Sequence, residues 1–181
     1  MGVDERVTGI LLVGGASRRF GSPKALARIG EEALAERAWR LLEWCDERIA
    51  VGKRVDGLAL PFPVVDDGSE VRAPIAGLVA GLRAAANELC VVVPVDCPRL
   101  SEDVLRRLAA AAGDAAVPQT GPLPGAYRRR VLPVLEEQLA SGDLALHRAL
   151  APLSVRVVEV DPSLLVNANT PADLAALASD S

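Results

Sequence analysis

The chain has 181 residues, of which 50% are hydrophobic and 24% charged, and its net charge at pH 7 is −4. This composition is typical of a globular protein with a real hydrophobic core, and we expect residues 1–181 to form a single domain. The negative charge and an aromatic content of only 3% argue against a nucleic-acid partner, which would need a basic face or stacking platforms.

The cysteine and histidine content narrows the possible chemistry. Cys45, Cys90 and Cys97 match no zinc-binding spacing, and their odd number favours reduced, buried thiols. His147 is the only histidine, which argues against a histidine-based metal cluster and a Ser-His-Asp triad. The first residues do not resemble a signal peptide, and no apolar stretch is long enough for a membrane span. We therefore expect a cytoplasmic protein with no membrane partner.

Strands and helices are predicted to alternate along the first half of the chain. Residues 7–13 (VTGILLV) form a short apolar run that ends in glycines, as a buried strand does. Apolar residues at helical spacing predict a helix over residues 31–44. Strands follow at residues 48–51 and 63–65, and a helix that starts with a proline is predicted over residues 74–86.

The second half of the chain continues the alternation. Residues 89–95 (LCVVVPV) are almost continuously apolar, which predicts a central strand covered on both faces. Ser101 is a predicted cap, followed by acidic residues in the first turn of a helix. Further strands are predicted at residues 115–117, 125–128 and 155–160, and helices at 131–140, 144–150 and 171–178. This order predicts an α/β fold, a three-layer sandwich around a mostly parallel, Rossmann-like sheet.

Three loops follow predicted strands and are candidates for the functional site. In open α/β sheets, ligands bind outside the carboxyl ends of the strands. That rule selects residues 14–24, residues 66–67 and residues 96–98.

The first of these loops combines glycines with positive charges in the stretch LLVGGASRRFGSPK, residues 11–24. Glycines let the backbone turn and let a ligand approach its amides, which together form an anion-binding concavity. A Walker A loop is excluded because Ala25 follows Lys24, and the dinucleotide-binding spacing is also missing. Arg19 and Lys24 therefore indicate a phosphate site, with a solvated turn as the alternative, whereas Arg18 is better explained as a solvent-facing residue.

These residues resemble the molybdenum cofactor guanylyltransferases, within the wider group of molybdopterin-dependent nucleotidyltransferases. The glycine loop is similar to that group's L-A-G-G-x-S-x-R-M-G-x-x-K, with Val13 in place of Ala and Phe20 in place of Met. Four later segments resemble family motifs in the same order: PIAGL at 74–78, PVDCP at 94–98, PLPGAYR at 122–128 and NANTP at 167–171. The resemblance covers nearly the whole chain and implies the nucleotidyltransferase fold.

The resemblance also implies roles for single residues. Arg19, Lys24 and Asp96 would be catalytic, and Asp96 would hold Mg²⁺, which prefers one or two carboxylates together with phosphate oxygens. The alternative for Asp96 is a turn residue before Pro98. The residues implied in nucleotide binding are Leu12, Val13, Gly14, Gly15, Lys24, Asp67 and Asp96.

The assignments of Asp67, Asn167 and Asn169 each have an alternative. Asp67 matches the family's acidic contact to guanine or ribose better than Asp66, but both could be turn residues before a glycine. Where the family often has Asn after the second strand, this chain has Gly52 and Lys53. The side chains of Asn167 and Asn169 could orient substrate or metal-bound water, or could cap the last helix together with Thr170. Possible contacts to the pterin are Tyr127 and Arg128.

The reaction implied by the resemblance is the transfer of GMP from GTP to molybdenum-molybdopterin, with release of pyrophosphate. Molybdoenzymes or their chaperones are possible transient partners. Two alternatives stay open: a molybdopterin cytidylyltransferase or sugar-phosphate nucleotidyltransferase that uses the same loop, and an inactive nucleotide-binding protein. Gly14 favours GTP over CTP, because the related cytidylyltransferases usually have Ala there and its absence leaves room for a purine.

Overall fold

The computed structural model describes residues 5–14 and 23–179. This part of the chain contains nine strands and six α-helices. The strands are β1 (Val7–Leu12), β2 (Arg28–Ile29), β3 (Glu32–Ala33), β4 (Glu47–Gly52), β5 (Val64–Asp66), β6 (Leu89–Pro94), β7 (Ala115–Pro118), β8 (Gly125–Arg128) and β9 (Val155–Val158). The helices are α1 (Leu34–Arg40), α2 (Pro74–Ala84), α3 (Glu102–Ala111), α4 (Leu132–Ala140), α5 (Leu146–Ala149) and α6 (Pro171–Ser179).

Seven of the strands form one sheet, in the order β5-β4-β1-β6-β8-β7-β9. β1 pairs in parallel with β4 and β6, β4 with β5, and β7 with β9. β8 is antiparallel to both of its neighbours, β6 and β7. Every strand of this sheet except β8 therefore runs in the same direction, which confirms the predicted α/β class with a mostly parallel sheet.

Helices cover both faces of the sheet because its central strands are apolar on both faces. Leu11, Val91 and Val93 pack on one face, in a core cluster that also includes side chains of α1 and α3. Ile10 and Val92 pack on the other face, with side chains of α2 and α4. Neighbouring residues of a strand point to opposite faces, so these central strands serve both cores. Across the described ranges, no helix combines the length and the apolar character that crossing a bilayer would require.

Helix α2 approaches β1 closely because glycines face the sheet. A Cβ atom placed on Gly81 would lie 2.6 Å from Cγ2 of Ile10, and one placed on Gly77 would lie 3.1 Å from Cδ2 of Leu12. Real Cβ atoms do not approach a buried methyl group to 2.6 Å, so this helix-to-sheet distance requires glycine at position 81. The packing holds the first turn of α2, which starts at Pro74, beside the carboxyl end of β1.

The structure differs from the sequence-based prediction over residues 31–44. A two-strand hairpin of β2 and β3 precedes the helix, which extends only from Leu34 to Arg40. Gly30 forms the turn with a φ of +59°, a conformation that glycine adopts without steric cost. The Glu36 carboxylate then accepts a hydrogen bond from the Ala33 backbone N–H at 3.0 Å, which marks the start of the helix. The other predicted helices and strands agree with the structure to within a few residues.

Candidate functional site

A cavity of about 270 Å³ lies at the carboxyl ends of β1, β4 and β6. It occupies the edge of the sheet where ligands bind in open α/β folds. All three candidate loops contribute to it, through residues that the structure describes. The lining residues are Leu12, Val13, Gly14, Lys24, Val51, Gly52, Lys53, Asp67, Arg72, Ala73, Pro74, Gly77, Pro94, Val95, Asp96 and Leu123.

Lys24 and Asp96 lie side by side in this cavity. Asp96 follows the carboxyl end of β6, and Lys24 begins a short 3₁₀ helix. Nζ of Lys24 lies 3.4 Å from Oδ2 of Asp96 and 3.2 Å from Oδ1 of Asn169. The side chains of Lys24 and Asp96 are 15% and 25% exposed, so the pair is partly shielded from water but open to the cavity.

The backbone around Asp96 is held by a segment from much later in the chain. The N–H of Ala168 donates to the carbonyl oxygen of Asp96 at 2.8 Å. The thiol of Cys97 donates to Oδ1 of Asn167 at 3.0 Å. Burial, assisted by the negative charge of Asp96, raises the pKa of the Cys97 thiol to about 12. The thiol is therefore protonated at neutral pH and serves as a hydrogen-bond donor, not as a nucleophile.

The start of α6 is capped by Thr170 and not by the two asparagines. Oγ1 of Thr170 accepts from the N–H of Asp173 at 3.1 Å, and the Asp173 carboxylate accepts from the N–H of Thr170 at 2.8 Å. The side chain of Asn169 instead accepts a hydrogen bond from the Lys24 ammonium, and the side chain of Asn167 accepts one from the Cys97 thiol. Both amide side chains are therefore directed to the Asp96 side of the segment.

Lys53 and Asp67 form a buried ion pair elsewhere in the cavity. Nζ of Lys53 lies 2.9 Å from Oδ1 of Asp67, and the two side chains are only 9% and 8% exposed. The Lys53 ammonium also donates to the carbonyl oxygen of Ser69, whose N–H donates to the same Oδ1 at 2.9 Å. No hydrogen bond reaches Oδ2 of Asp67 from any residue that the structure describes, so this oxygen is available to a ligand in the cavity.

The loops after β4 and β5 are joined by further polar contacts. The backbone N–H of Arg54 donates to Oδ2 of Asp66 at 2.6 Å, and this bond lowers the pKa of the Asp66 carboxyl. The Arg72 guanidinium donates to both carboxylate oxygens of Asp56, at 2.7 and 3.2 Å. The carboxylate of Asp66, the last residue of β5, therefore holds loop backbone, whereas Asp67 lines the cavity.

Gly52 leaves the end of β4 without a side chain, and its neighbour Val13 explains why. A Cβ atom on Gly52 would lie 2.8 Å from Cγ2 of Val13. Val13 therefore occupies the space that a side chain at position 52 would need. This contact gives one physical reason for two departures from the family pattern, Val13 in place of Ala and Gly52-Lys53 where the family often has Asn. A Cβ atom on Gly14, in contrast, would lie 3.5 Å from the Gly52 Cα atom, an ordinary contact distance.

Tyr127 and Arg128 do not line this cavity, and their contact with a pterin stays a prediction. β8 runs antiparallel to β6, so that Arg128 lies opposite Leu89 at the start of β6. Arg128 there forms an ion pair with Glu5. Tyr127 is fully buried and donates its hydroxyl proton to the carbonyl oxygen of Pro122.

Two predicted site residues lie outside the described part of the chain, and two charged residues of the cavity were not among the predicted ones. Gly15 and Arg19 lie outside the described residues, so their roles stay predictions. Lys53 and Arg72 both line the cavity, although the sequence marks Lys53 only as a departure from the family pattern and gives no motif that includes Arg72. The sequence signal that could have identified Lys53 is its position, since it is a charged residue directly after an apolar strand.

Asp96 is a suitable carboxylate for a divalent cation shared with a ligand. Within the described ranges, no cluster of three or more His, Cys, Asp or Glu side chains could hold a metal ion. Mg²⁺ often takes one or two protein carboxylates and completes its shell with phosphate oxygens and water. A single carboxylate that is open to the cavity fits this kind of site, because the phosphates would supply the remaining ligands.

Comparison with known proteins shows relatives along nearly the whole chain. Residues 9–159 match the MobA-like NTP transferase domain. A probable molybdenum cofactor guanylyltransferase from Pelotomaculum thermopropionicum is 32% identical, over 96% of this chain and 83% of the relative. The molybdenum cofactor guanylyltransferase of Desulfosudis oleivorans is 30% identical, over 94% of this chain and 93% of the relative.

A solved structure supports the same relationship. The molybdopterin-guanine dinucleotide biosynthesis protein A of Archaeoglobus fulgidus is 25% identical, with a TM-score of 0.80 over 96% of this chain and 97% of that one. This similarity confirms the nucleotidyltransferase fold that the motifs implied. Because the domain match covers most of the sequence and full-length relatives reach 30% identity, the chain belongs to the MobA-like NTP transferase family.

Proposed function

We propose that this protein transfers GMP from GTP to molybdenum-bound molybdopterin and releases pyrophosphate. The observation that carries the proposal is the arrangement of charges around the end of β1. Lys24 and Asp96 lie beside β6 on one side of that end, and Asp67 lies beyond β4 on the other. Groups suited to phosphates and to a base therefore share one cavity. The names of the relatives support guanine as the base.

In this reaction a terminal phosphate of the pterin attacks the α-phosphorus of GTP, and the bond to the pyrophosphate oxygen breaks. A phosphate monoester is already a nucleophile, so no protein side chain has to be activated. Catalysis then depends on alignment and charge neutralisation. The Lys24 ammonium offsets negative charge on the phosphates, and Gly14 lets the backbone border the nucleotide without an intervening side chain. Arg19 is predicted to add a second positive charge.

Asp96 would hold Mg²⁺ together with phosphate oxygens. The bound ion would supply positive charge to the phosphates. Asp67 has a different role, because its Oδ2 is an acceptor for the N1–H and N2–H groups of guanine. A site built around such hydrogen bonds rejects cytosine, which lacks the matching donors.

The proposal is tested by pyrophosphate release from GTP, CTP, UTP or ATP with Mg²⁺ and molybdenum-molybdopterin. We expect GTP to be preferred on the order of 10²-fold or more, the value for two lost hydrogen bonds. Asp96→Asn should remove most of this activity without changing the fold. Equal use of CTP would refute the guanylyl assignment, and GTP binding without pyrophosphate release would favour an inactive nucleotide-binding protein.

Gly14→Ala tests the steric part of the base preference. The added methyl group makes only ordinary contacts with Gly52, so the variant should fold like the parent. We expect a lower ratio of GTP to CTP turnover, because the methyl group takes space that a purine needs. An unchanged ratio would show that base selection does not depend on Gly14.

A further inference from the structure

Lys53 is unusual among the cavity residues because its charged group is almost entirely buried. A buried ammonium group is stable only when it is paired and hydrogen-bonded. Lys53 meets this requirement through the Asp67 carboxylate and the carbonyl oxygen of Ser69. These two hydrogen bonds therefore fix the position of the Lys53 ammonium group.

The same contacts fix the orientation of the Asp67 carboxylate. Oδ1 accepts hydrogen bonds from both the Lys53 ammonium and the Ser69 N–H, each at 2.9 Å. Oδ2 accepts none from the described part of the chain. Without Lys53, the carboxylate would keep one backbone hydrogen bond. A remaining nearby positive charge, the Arg72 guanidinium, is already paired with Asp56. Loss of the ammonium therefore favours rotation of the carboxylate toward water in the cavity. The acceptor would then no longer have one defined position.

We infer that Lys53 is a positioning residue for base selection, because it holds Asp67 with Oδ2 presented to the N–H groups of guanine. Lys53 acts through Asp67 and does not itself have to touch the base. The inference rests on the proposed function, since it assumes that Asp67 meets guanine. It assigns the preference for guanine to the ion pair and not to a single carboxylate.

The second contact between the same loops provides a matched control. Arg72 and Asp56 link the loop after β5 to the loop after β4, as Lys53 and Asp67 do. Asp56 does not line the cavity. Asp56→Asn therefore weakens the connection between the loops but leaves the Lys53–Asp67 pair intact.

The test measures dissociation constants of GTP, ITP and CTP with Mg²⁺ by calorimetry. ITP differs from GTP only by the missing amino group at C2, so the GTP-to-ITP ratio reports one hydrogen bond. Lys53→Met should reduce the GTP-to-ITP preference about tenfold, as expected for one hydrogen bond, and the GTP-to-CTP preference on the order of 10²-fold, as expected for two. Asp56→Asn, which leaves the Lys53–Asp67 pair intact, should keep both ratios within about threefold. An equal loss of affinity for all three nucleotides in Lys53→Met would overturn the inference, since a purely structural role would have that effect.

Asp67→Asn separates failure of the inference from failure of the proposed function. If the parent binds CTP as tightly as GTP, the proposed function fails. If Asp67→Asn reduces the preference for GTP but Lys53→Met does not, only the positioning role is refuted. Should Lys53→Met not fold, the Lys53→Met/Asp67→Asn variant, which buries no unpaired charge, should show the reduced GTP preference. Preference at the parent's level in that variant would overturn the inference.

Discussion

Replacement of Lys53 by methionine should lower the free energy of unfolding by about 3 kcal/mol. Methionine keeps an unbranched apolar side chain but removes the ammonium group, so the buried Asp67 carboxylate loses its charge partner. Removal of one partner from a buried ion pair destabilises proteins by about 3–5 kcal/mol. The lower end of this range applies because Asp67 keeps its hydrogen bond from Ser69 and borders an open cavity.

Thermal and urea unfolding without nucleotide measure this effect directly. In a protein of this size about 1 kcal/mol shifts Tm by about 2–4 °C, so Lys53→Met should melt about 6–12 °C below the parent. The Lys53→Met/Asp67→Asn variant removes both charges, and we expect it to recover more than half of the lost stability.

An exposed ion pair supplies the control for this prediction. Arg83 and Glu136 form a pair whose side chains are 62% and 39% exposed, and Arg83→Met should change stability by less than about 1 kcal/mol. The prediction is wrong if Lys53→Met lowers the free energy of unfolding by no more than Arg83→Met does. It is also refuted if the losses of the two single variants at Lys53 and Asp67 simply add in the double variant.

Three other predictions address the phosphate site, the core and the thiols. Lys24→Ala should reduce pyrophosphate release about tenfold or more. The Tm should change little, because a partly exposed ion pair contributes little stability. Equal turnover of variant and parent would show that Lys24 does not serve the phosphates. Gly81→Ala should lower the free energy of unfolding by about 1 kcal/mol, because the added methyl group would lie 2.6 Å from a side chain of β1. Overpacking costs about 1–3 kcal/mol, which outweighs the gain of about 1 kcal/mol in helix propensity. A variant that is more stable than the parent in urea unfolding would contradict this. Burial raises the pKa of the Cys45, Cys90 and Cys97 thiols to about 12, so they should resist iodoacetamide at about pH 8 until urea unfolds the protein, as mass spectrometry can check.

Elements with a strong local signal could be predicted from the sequence. The apolar run of β6 defines a covered strand, Pro74 starts α2, and Ser101 accepts a hydrogen bond from the Val104 N–H at the start of α3. The carboxyl-end rule then brought Lys24, Asp67 and Asp96 to one cavity, because parallel strands end at the same edge. These predictions needed only short-range patterns and one topological rule.

Features that depend on distant parts of the chain were not predictable in this way. The pattern of β8 does not reveal its direction, and its antiparallel course is the reason that Tyr127 and Arg128 miss the cavity. Burial of Lys53 depends on a carboxylate 14 residues later in the chain, which no local window shows. The hairpin before α1 was absorbed into a longer predicted helix, because apolar residues at helical spacing say little about where a helix begins.

The segment that packs against Asp96 makes assembly of the site dependent on the order of synthesis. Asn167 comes 70 residues after Cys97, and Asn169 comes 145 residues after Lys24. While the ribosome is still making the chain, β1, β4 and β6 therefore exist before the backbone of Asp96 can receive its hydrogen bond from Ala168. A nascent chain can form the central sheet first, whereas the end of the cavity that holds Lys24 and Asp96 is completed only when residues 167–170 are available. Chains that lack residues 167–170 would therefore lack the contacts that Asn167, Ala168 and Asn169 make with Cys97, Asp96 and Lys24.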